Sequence, residues 1–284
     1  MTQSIRFGEF WYLYFQVIRQ MLKITLWFPV LIQGAIALGL AVIHNQIFSP
    51  FWGPALNSWV GLLYPEAVDA FFRYPEHYMI FPMIFSGSAR VLNFLSEAFL
   101  FGIFCDMLIS LYKGEKPAFM LSARRALSKY LKLTATWAVL LVILFIVSKY
   151  FYVFLEDVIG YSLHTAPRRQ FLAMLLLHGV NVFIYTFFIF VIPSIMLGGE
   201  SWAHEVSRGI KTSIKHPIAA FCMITIPYSI AAIPSLPLFN TRKIIEVFNP
   251  ELVYQILLVA IGINIIANFV LIGTSVKFFM DKSE

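Results

Sequence analysis

Residues 114–155 read GEKPAFMLSARRALSKYLKLTATWAVLLVILFIVSKYFYVFL, and the rest of the chain can be interpreted from this stretch. Its first half carries basic residues among apolar ones at helical spacing. Its second half has no charged residue over positions 134–148 and stays apolar to position 155 apart from one lysine. Because roughly 20 apolar residues are needed to cross a bilayer, the stretch predicts a basic surface helix that leads directly into a transmembrane helix.

The basic half of this stretch predicts a helix that lies on the membrane surface. Phe119, Ala123 and Leu127 recur at four-residue steps and share one helical face. Such a helix places its apolar face among acyl chains and its cations near anionic headgroups. The alternative is a solvated loop or a soluble amphipathic helix, which the uninterrupted apolar span disfavours. The cations predicted to bind headgroups here are Arg124, Arg125, Lys129 and Lys132.

The composition is typical of a membrane protein. Of the 284 residues, 60% are hydrophobic and 13% are charged, whereas water-soluble chains carry about twice that charge. No stretch is polar enough to form a separate soluble domain, so residues 1–284 are predicted to form a single membrane domain. The formal net charge of +6 indicates membrane topology and not nucleic-acid binding, which needs a solvated basic surface.

The combination of surface helix and apolar span recurs along the chain and predicts an all-α protein with six transmembrane helices. Further surface helices are expected at residues 8–23 and 201–215. In the second of these, Arg208, Lys211 and Lys215 lie opposite an apolar stripe and are predicted to bind headgroups. The predicted spans are residues 24–44, with a kink at Pro29, then 88–112, 134–155, 170–197, 217–236 and 252–276.

Residues 45–87 form the longest segment between two predicted spans, and this segment is rich in aromatic residues. Because Trp and Tyr favour membrane interfaces, we expect short helices on the outer membrane face here. The segment is also the surface predicted to contact a partner protein. Its aromatic residues include Trp52, Trp59, Tyr64, Phe71, Phe72, Tyr74 and Tyr78.

The distribution of basic residues predicts the orientation in the membrane. A cytoplasmic N-terminus would place 14 of the 21 Lys and Arg residues on the cytoplasmic side of six spans. Cytoplasmic loops carry an excess of Lys and Arg, so both termini are predicted to be cytoplasmic. The expected location is the plasma membrane, which is the inner membrane of a bacterium.

Three Gly-Glu pairs indicate an internal repeat, because each opens one of the predicted surface helices. The pairs are Gly8-Glu9, Gly114-Glu115 and Gly199-Glu200. Lys129 and Lys215 follow the glycines of the second and third pairs by 15 and 16 residues. The alternative is that any surface helix before a span has this appearance. We predict a threefold repeat with units of about 1–112, 113–198 and 199–284, the first enlarged by the segment 45–87.

The short motifs SARRALSKYLK and VSRGIKTSIK, small and basic residues before a span, carry a resemblance to known proteins. The chain resembles the glycerophosphodiester phosphodiesterase membrane-domain family and related uncharacterised polytopic inner-membrane proteins of prokaryotes. The resemblance covers most of the chain at the level of pattern. The soluble catalytic domain of the phosphodiesterases is absent from the sequence. The resemblance therefore implies an accessory membrane module and carries over no active-site residue.

Several polar residues fall inside the predicted spans. Glu97 and His178 lie at similar depth below the outer surface, and a pair between them would form a proton or ion relay. The alternative, which we favour, is hydrogen bonding between helices that fixes their register. The amides considered with them are Gln33, Asn93, Asn181, Asn264 and Asn268.

Signatures of catalysis, metal binding or cofactor binding do not occur in the sequence. GxSxG, HExxH and P-loop motifs are absent, and Cys105 and Cys222 belong to no CxxC motif. His77, His164 and His204 fall in different segments between the spans without a histidine one turn away. We therefore expect no enzyme activity, no metal site and no cofactor.

The sequence predicts a non-catalytic membrane subunit, or an accessory or scaffold protein of a membrane assembly that organises lipids. Its expected partners are anionic membrane lipids at the cytoplasmic face and other membrane proteins, without nucleic acid. The alternative is a small transporter or channel that uses Glu97 and His178.

Overall fold

The computed structural model describes residues 7–159 and 167–283, which form α-helices and short 3-10 helices without strands. Thirteen α-helices follow one another along these residues. They are α1 (Phe7–Gln20), α2 (Phe28–Asn45), α3 (Trp52–Leu63), α4 (Val68–Phe71), α5 (Glu76–Tyr112), α6 (Phe119–Ser128), α7 (Tyr130–Ile159), α8 (Pro167–Phe188), α9 (Val191–Leu197), α10 (Trp202–Lys215), α11 (Pro217–Ala232), α12 (Thr241–Val247) and α13 (Leu252–Ser283). The 3-10 helices are Ile24–Trp27, Pro65–Ala67 and Ile233–Asn240.

Six helical segments are long and apolar enough to cross a membrane, which confirms the predicted all-α class and the number of spans. By length and composition the chain is therefore a membrane-embedded protein. Within the described residues these segments are Ile24–Asn45, Glu76–Tyr112, Tyr130–Leu155, Phe171–Leu197, Pro217–Leu238 and Leu252–Lys282.

The second span begins earlier than the sequence pattern predicted. Helix α5 starts at Glu76 and not near position 88, so it includes the last part of the segment 45–87. The helix extends in this direction because Phe81 and Ile84 are fully buried and give these turns a packed face.

Pro29 begins a helix and does not kink one, contrary to the prediction. It is the second residue of α2, which directly follows the 3-10 helix Ile24–Trp27. Proline is favoured in the first helical turn because its missing N–H would have no partner there.

The described residues pack into two compact units. Unit 1 draws on Met1–Val30, Ala98–Tyr228 and Asn268–Glu284, and unit 2 on Leu31–Glu97 and Ser229–Ala267. Helices α5 and α13 each contribute residues to both units. The predicted single domain and its three repeat units stay predictions.

In unit 1, each of the helices α1, α6 and α10 packs closely against a long span. Val17 of α1 lies against Gly273 of α13, and Ala126 of α6 lies near Gly102 of α5. Gly209 of α10 lies against the backbone of α9. A hydrophobic core joins several of these elements and includes Leu13, Phe190, Ala220, Met223, Phe278 and Phe279.

In unit 2, the segment predicted to lie on the outer membrane face supplies part of the core. Val60 and Phe71 are fully buried beside residues of α2, α5 and α13. Other aromatic side chains of the same segment point outward: Phe48 is 68% exposed and Phe51 is 75% exposed. Some aromatic residues of this segment therefore pack in the core of unit 2, and others are exposed.

Candidate functional site

A lysine amine closes the C-terminal end of α9 in unit 1. The last carbonyl groups of an α-helix have no partner within the helix. Lys129, which directly follows α6, donates hydrogen bonds from Nζ to the carbonyl oxygens of Ile195 (2.7 Å), Met196 (2.9 Å) and Gly198 (2.5 Å). A positive charge at this end also complements the helix dipole. Lys129 thus joins α6 to the end of α9.

Glu205 places an ion pair next to Lys129. Its side chain is 2% exposed, and its Oε2 lies 3.0 Å from Nζ of Lys132. Lys132 also donates to the carbonyl oxygen of Glu200 at 2.5 Å, and Ser194 Oγ donates to the carbonyl oxygen of Glu205 at 2.8 Å. Burial lowers the pKa of the Lys129 ammonium, and the Glu205 carboxylate opposes this shift. We call Lys129, Lys132, Ser194 and Glu205 the polar clasp.

Helix α10 has three stripes, of which the sequence pattern showed two. The third consists of Glu205, Gly209 and Ser213, which are buried at four-residue steps. A Cβ on Gly209 would lie 2.7 Å from Cα of Val191 and 2.9 Å from its N, so α10 approaches α9 backbone to backbone. A stripe of small residues permits this approach. Because the stripe faces the protein, the basic stripe of α10 faces outward.

The predicted headgroup residues lie in two kinds of surroundings, and their role stays a prediction. Arg124, Lys211 and Lys215 are exposed. The others contact protein groups: Lys129 and Lys132 belong to the polar clasp, Arg125 Nη1 lies 3.4 Å from Asp106 Oδ2, and the Arg208 guanidinium lies 5.2 Å from the centre of the Phe279 ring.

Unit 1 contains an apolar cavity of about 100 Å³ that is half-open to the surface of the unit. Among its described lining residues there is no carboxylate, amine or imidazole. Trp202 of α10 stands at its edge, since its Nε1 donates to Oγ1 of the lining residue Thr136 at 3.0 Å. The walls come from α5, α7, α8, α9, α11 and α13 and include Phe101, Trp137, Leu140, Phe188, Ile224 and Leu271.

In unit 2, Glu97 has an amide partner. Gln33 Nε2 donates to Glu97 Oε1 at 2.8 Å, which joins α2 to α5. Helix α5 starts at Glu76, so Glu97 lies 21 residues, or about 32 Å, from the start of the helix. This distance is larger than the one implied by the predicted span start near position 88. Gly34 of α2 packs against Ile265 of α13. In the sequence, Gln33 directly precedes Gly34 and Asn264 directly precedes Ile265.

His178 lies in unit 1 and stacks on Tyr228, with ring centres 4.8 Å apart and planes at 23°. Glu97 and His178 therefore have contacts within their own units, and a relay between them stays a prediction. Of the four asparagines considered with them, Asn264 is exposed, and Asn93, Asn181 and Asn268 are partly buried.

A buried polar chain in unit 2 was missing from the sequence interpretation. Trp59 Nε1 donates to Ser88 Oγ at 2.7 Å, and His44 Nε2 lies 2.9 Å from the same Oγ. His44 Nδ1 lies 2.8 Å from the carbonyl oxygen of Leu40. Because that oxygen can only accept, Nδ1 carries the proton, and the Ser88 hydroxyl donates to Nε2. The sequence offered one signal for this chain of hydrogen bonds, a histidine at the end of a span. It did not reveal the serine partner, which lies 44 residues away in the sequence.

Of the histidines expected between the spans, the structure places His77 inside a span, whereas His204 lies between two spans. His77 lies in the first turn of α5 and is 3% exposed, and His204 lies in α10 and pairs with Glu200. His164 lies outside the described residues. Among the described residues no group of three His, Cys, Asp or Glu side chains could hold a metal ion.

Comparisons with known proteins give no relative for this chain: no family model, no curated protein and no solved structure matches it.

Proposed function

We propose that this protein is a non-catalytic membrane subunit or accessory protein that holds lipid in its unit 1. The observation that carries the proposal is the apolar cavity, which is half-open and contains no acid–base group among its described lining residues. An apolar cavity of about 150 Å³ can stay dry and bind a small apolar molecule. A cavity of comparable size at the surface of a membrane-embedded unit suits a segment of an acyl chain.

Trp137 is one of the lining residues and carries an indole N–H donor. Its Nε1 is buried and has no hydrogen-bond acceptor among the described residues. A buried donor without a partner costs free energy, so an acceptor on a ligand would be favoured there. The ester carbonyl of a glycerolipid is an acceptor attached to an acyl chain and has the required chemistry.

The packing in unit 1 supports the threefold repeat and the role of α1, α6 and α10 as amphipathic surface helices. Helix α6 contacts the preceding span α5, and α10 contacts the preceding α9. Helix α1 contacts α13, which is the last of the six candidate spans among the described residues. Each of these three helices therefore packs on a span of another predicted repeat unit, which is the arrangement that three equivalent units would produce. With cytoplasmic termini in the plasma membrane, these helices would lie at the cytoplasmic face.

The Gln33–Glu97 hydrogen bond favours the accessory function over transport. A carboxyl group that accepts from an amide on a neighbouring helix fixes helix register, which is the common use of polar groups in membranes. The outward aromatic residues of the segment 45–87, Phe48, Phe51 and Trp52, would supply the contact with a partner protein.

The first test is native mass spectrometry of the purified protein in mild detergent, with bound lipids counted. Ile224→Phe places a larger side chain in the cavity and should lower the count by about one lipid. Ile266→Phe makes the same substitution at a residue that is 50% exposed on α13 and should leave the count unchanged. Leu140→Ala enlarges the cavity and should retain the lipid. Equal counts for the two phenylalanine variants would contradict the proposal.

Two further measurements separate the subunit from the transporter. Replacing Phe48, Phe51 and Trp52 by Ser should remove a co-purifying protein without unfolding unit 2, because these side chains are exposed. Glu97→Gln should leave solute and proton flux in liposomes at the background level of the unaltered protein. Flux that the unaltered protein supports and Glu97→Gln abolishes would establish transport instead.

A further inference from the structure

We infer that the basic stripe of α10 binds the phosphate group of an anionic phospholipid, so that lipid is selected by its headgroup. The inference rests on the proposed lipid-holding function. It concerns a different surface from the apolar cavity. The stripe lines an open surface depression of about 200 Å³, and all of its described lining residues belong to α10: His204, Ser207, Arg208, Lys211, Thr212 and Lys215.

The orientation of the stripe follows from the opposite side of the helix. The buried stripe of Glu205, Gly209 and Ser213 fixes α10 against α9. Arg208, Lys211 and Lys215 recur at steps of three and four and therefore share one outward face. Three cations are thus held side by side on a docked helix and not on a mobile loop.

Arg208 is oriented before any ligand binds. Its guanidinium lies 5.2 Å from the centre of the Phe279 ring, and Phe279 is 1% exposed in the core of unit 1. This cation–π contact restricts a long side chain, so less conformational entropy is lost on binding. A guanidinium can donate two parallel hydrogen bonds to a phosphate, and the lysines add charge.

The charge around the stripe is not neutralised by nearby carboxylates of the described residues. Glu205 faces inward and pairs with Lys132, and Asp281 pairs with Lys277. Glu200 pairs with His204, a lining residue of the depression, and not with Arg208, Lys211 or Lys215. Burial lowers the pKa of the His216 imidazole, and the positive charges of Lys282 and Lys215 lower it further. The smaller, electrostatic part of this shift reflects the positive charges of Lys282 and Lys215 near the end of α10.

Apolar residues beside the stripe favour a phospholipid over free phosphate. Ile214 is 60% exposed, and Ile218 at the start of α11 is 79% exposed. Phe221, one turn further, is 43% exposed. A phosphate among the cations of α10 would leave the attached acyl chains next to these side chains.

The test measures binding of phosphatidylglycerol, phosphatidylcholine and inorganic phosphate to the full chain by native mass spectrometry. The triple variant Arg208→Gln, Lys211→Gln, Lys215→Gln should lose about 100-fold in affinity for phosphatidylglycerol, because each cation near an anionic surface contributes roughly fivefold. The unaltered protein and the triple variant should bind phosphatidylcholine equally weakly. The matched control Arg73→Gln, Arg90→Gln, Lys149→Gln removes the same charge from exposed positions and should change the affinity less than about twofold.

Each outcome decides between the sources of the phosphate and between the two proposals. Phosphatidylglycerol affinity that is equal in the triple variant and the control would overturn the inference. Retention of inorganic phosphate that depends on Arg208, without lipid selectivity, would assign the site to free phosphate and also overturn it. If Ile224→Phe lowers the lipid count while the triple variant keeps the selectivity, the cavity proposal stands and the headgroup inference fails. Lys211→Glu alone, at an exposed position, repeats the test in a variant that folds.

Discussion

Replacing Gly209 by alanine should destabilise the protein, although alanine is the better helix former. A Cβ at this position would lie 2.7 Å from Cα of Val191, 2.9 Å from its N and 3.0 Å from the carbonyl carbon of Phe190. These are backbone atoms and cannot rotate away. To reach 3.4 Å, the lower limit of ordinary contact, α10 would have to move by about 0.7 Å, the difference between 3.4 and 2.7 Å.

The expected loss follows from two opposing terms. Overpacking costs about 1–3 kcal/mol, and the helix propensity of alanine returns about 1 kcal/mol. The shift of α10 would also lengthen the 3.0 Å contact between Lys132 and Glu205. The two terms leave a loss of up to about 2 kcal/mol, to which the weakened ion pair adds, so we expect the free energy of unfolding to fall by about 1–2 kcal/mol and Tm by roughly 4 °C.

Intrinsic tryptophan fluorescence during heating of the purified protein measures this change. Gly179→Ala in α8 is the matched control, because a Cβ built there has no atom within 4 Å apart from its chain neighbours and the backbone of its own helix. The control should raise Tm by about 2 °C, since it gains helix propensity without a clash. If Gly209→Ala raised Tm as much as Gly179→Ala, the close approach of α10 to α9 would be refuted.

Three further predictions concern other groups. Lys129→Met should lower the free energy of unfolding by about 2–3 kcal/mol in an unfolding titration, because three carbonyl groups lose a charged donor. The control Lys116→Met, at an exposed position, should lower it by less than about 0.5 kcal/mol, and equal effects would contradict the cap at α9. Ser88→Ala removes the partner of Trp59 Nε1 and of His44 Nε2 and should cost about 2–4 kcal/mol by the same titration. No loss would refute the polar chain. Because the pKa of His216 is lowered in the folded protein, the unfolded chain takes up a proton first as pH falls below 6.5, and stability should decrease there. His216→Gln should make Tm decrease less steeply with falling pH, and an unchanged slope would argue against this role of His216.

The helices could be predicted from the sequence because their signals are local. An apolar run or a stripe at helical spacing is visible within one segment, and six spans were found in this way. The start of α5 was missed because Glu76, His77 and Tyr78 are residues typical of an interface. Only the burial of Phe81 and Ile84 against other elements shows that these turns continue the span.

The candidate site could be predicted only in part, because its contacts are non-local. The cations of α10 were identifiable from their spacing, whereas the buried stripe that contains Gly209 has no hydrophobic signature. Lys129 was interpreted as a headgroup ligand like its basic neighbours. Its three acceptors are main-chain oxygens 66 to 69 residues away, which no side-chain pattern encodes. The apolar cavity likewise arises from six helices that the sequence does not place together.

The hydrogen bonds of Lys129 also set an order of events during synthesis. The amine is made 66 residues before the carbonyl group of Ile195. At about 5–20 residues per second, a ribosome needs roughly 3–13 seconds to supply that acceptor. Throughout this interval Lys129 is one of the basic residues that precede α7, and in the predicted topology these residues would hold that end of the span on the cytoplasmic side. With that topology, the same amine would orient one hairpin during its insertion, and it binds the end of α9 once that helix has been made.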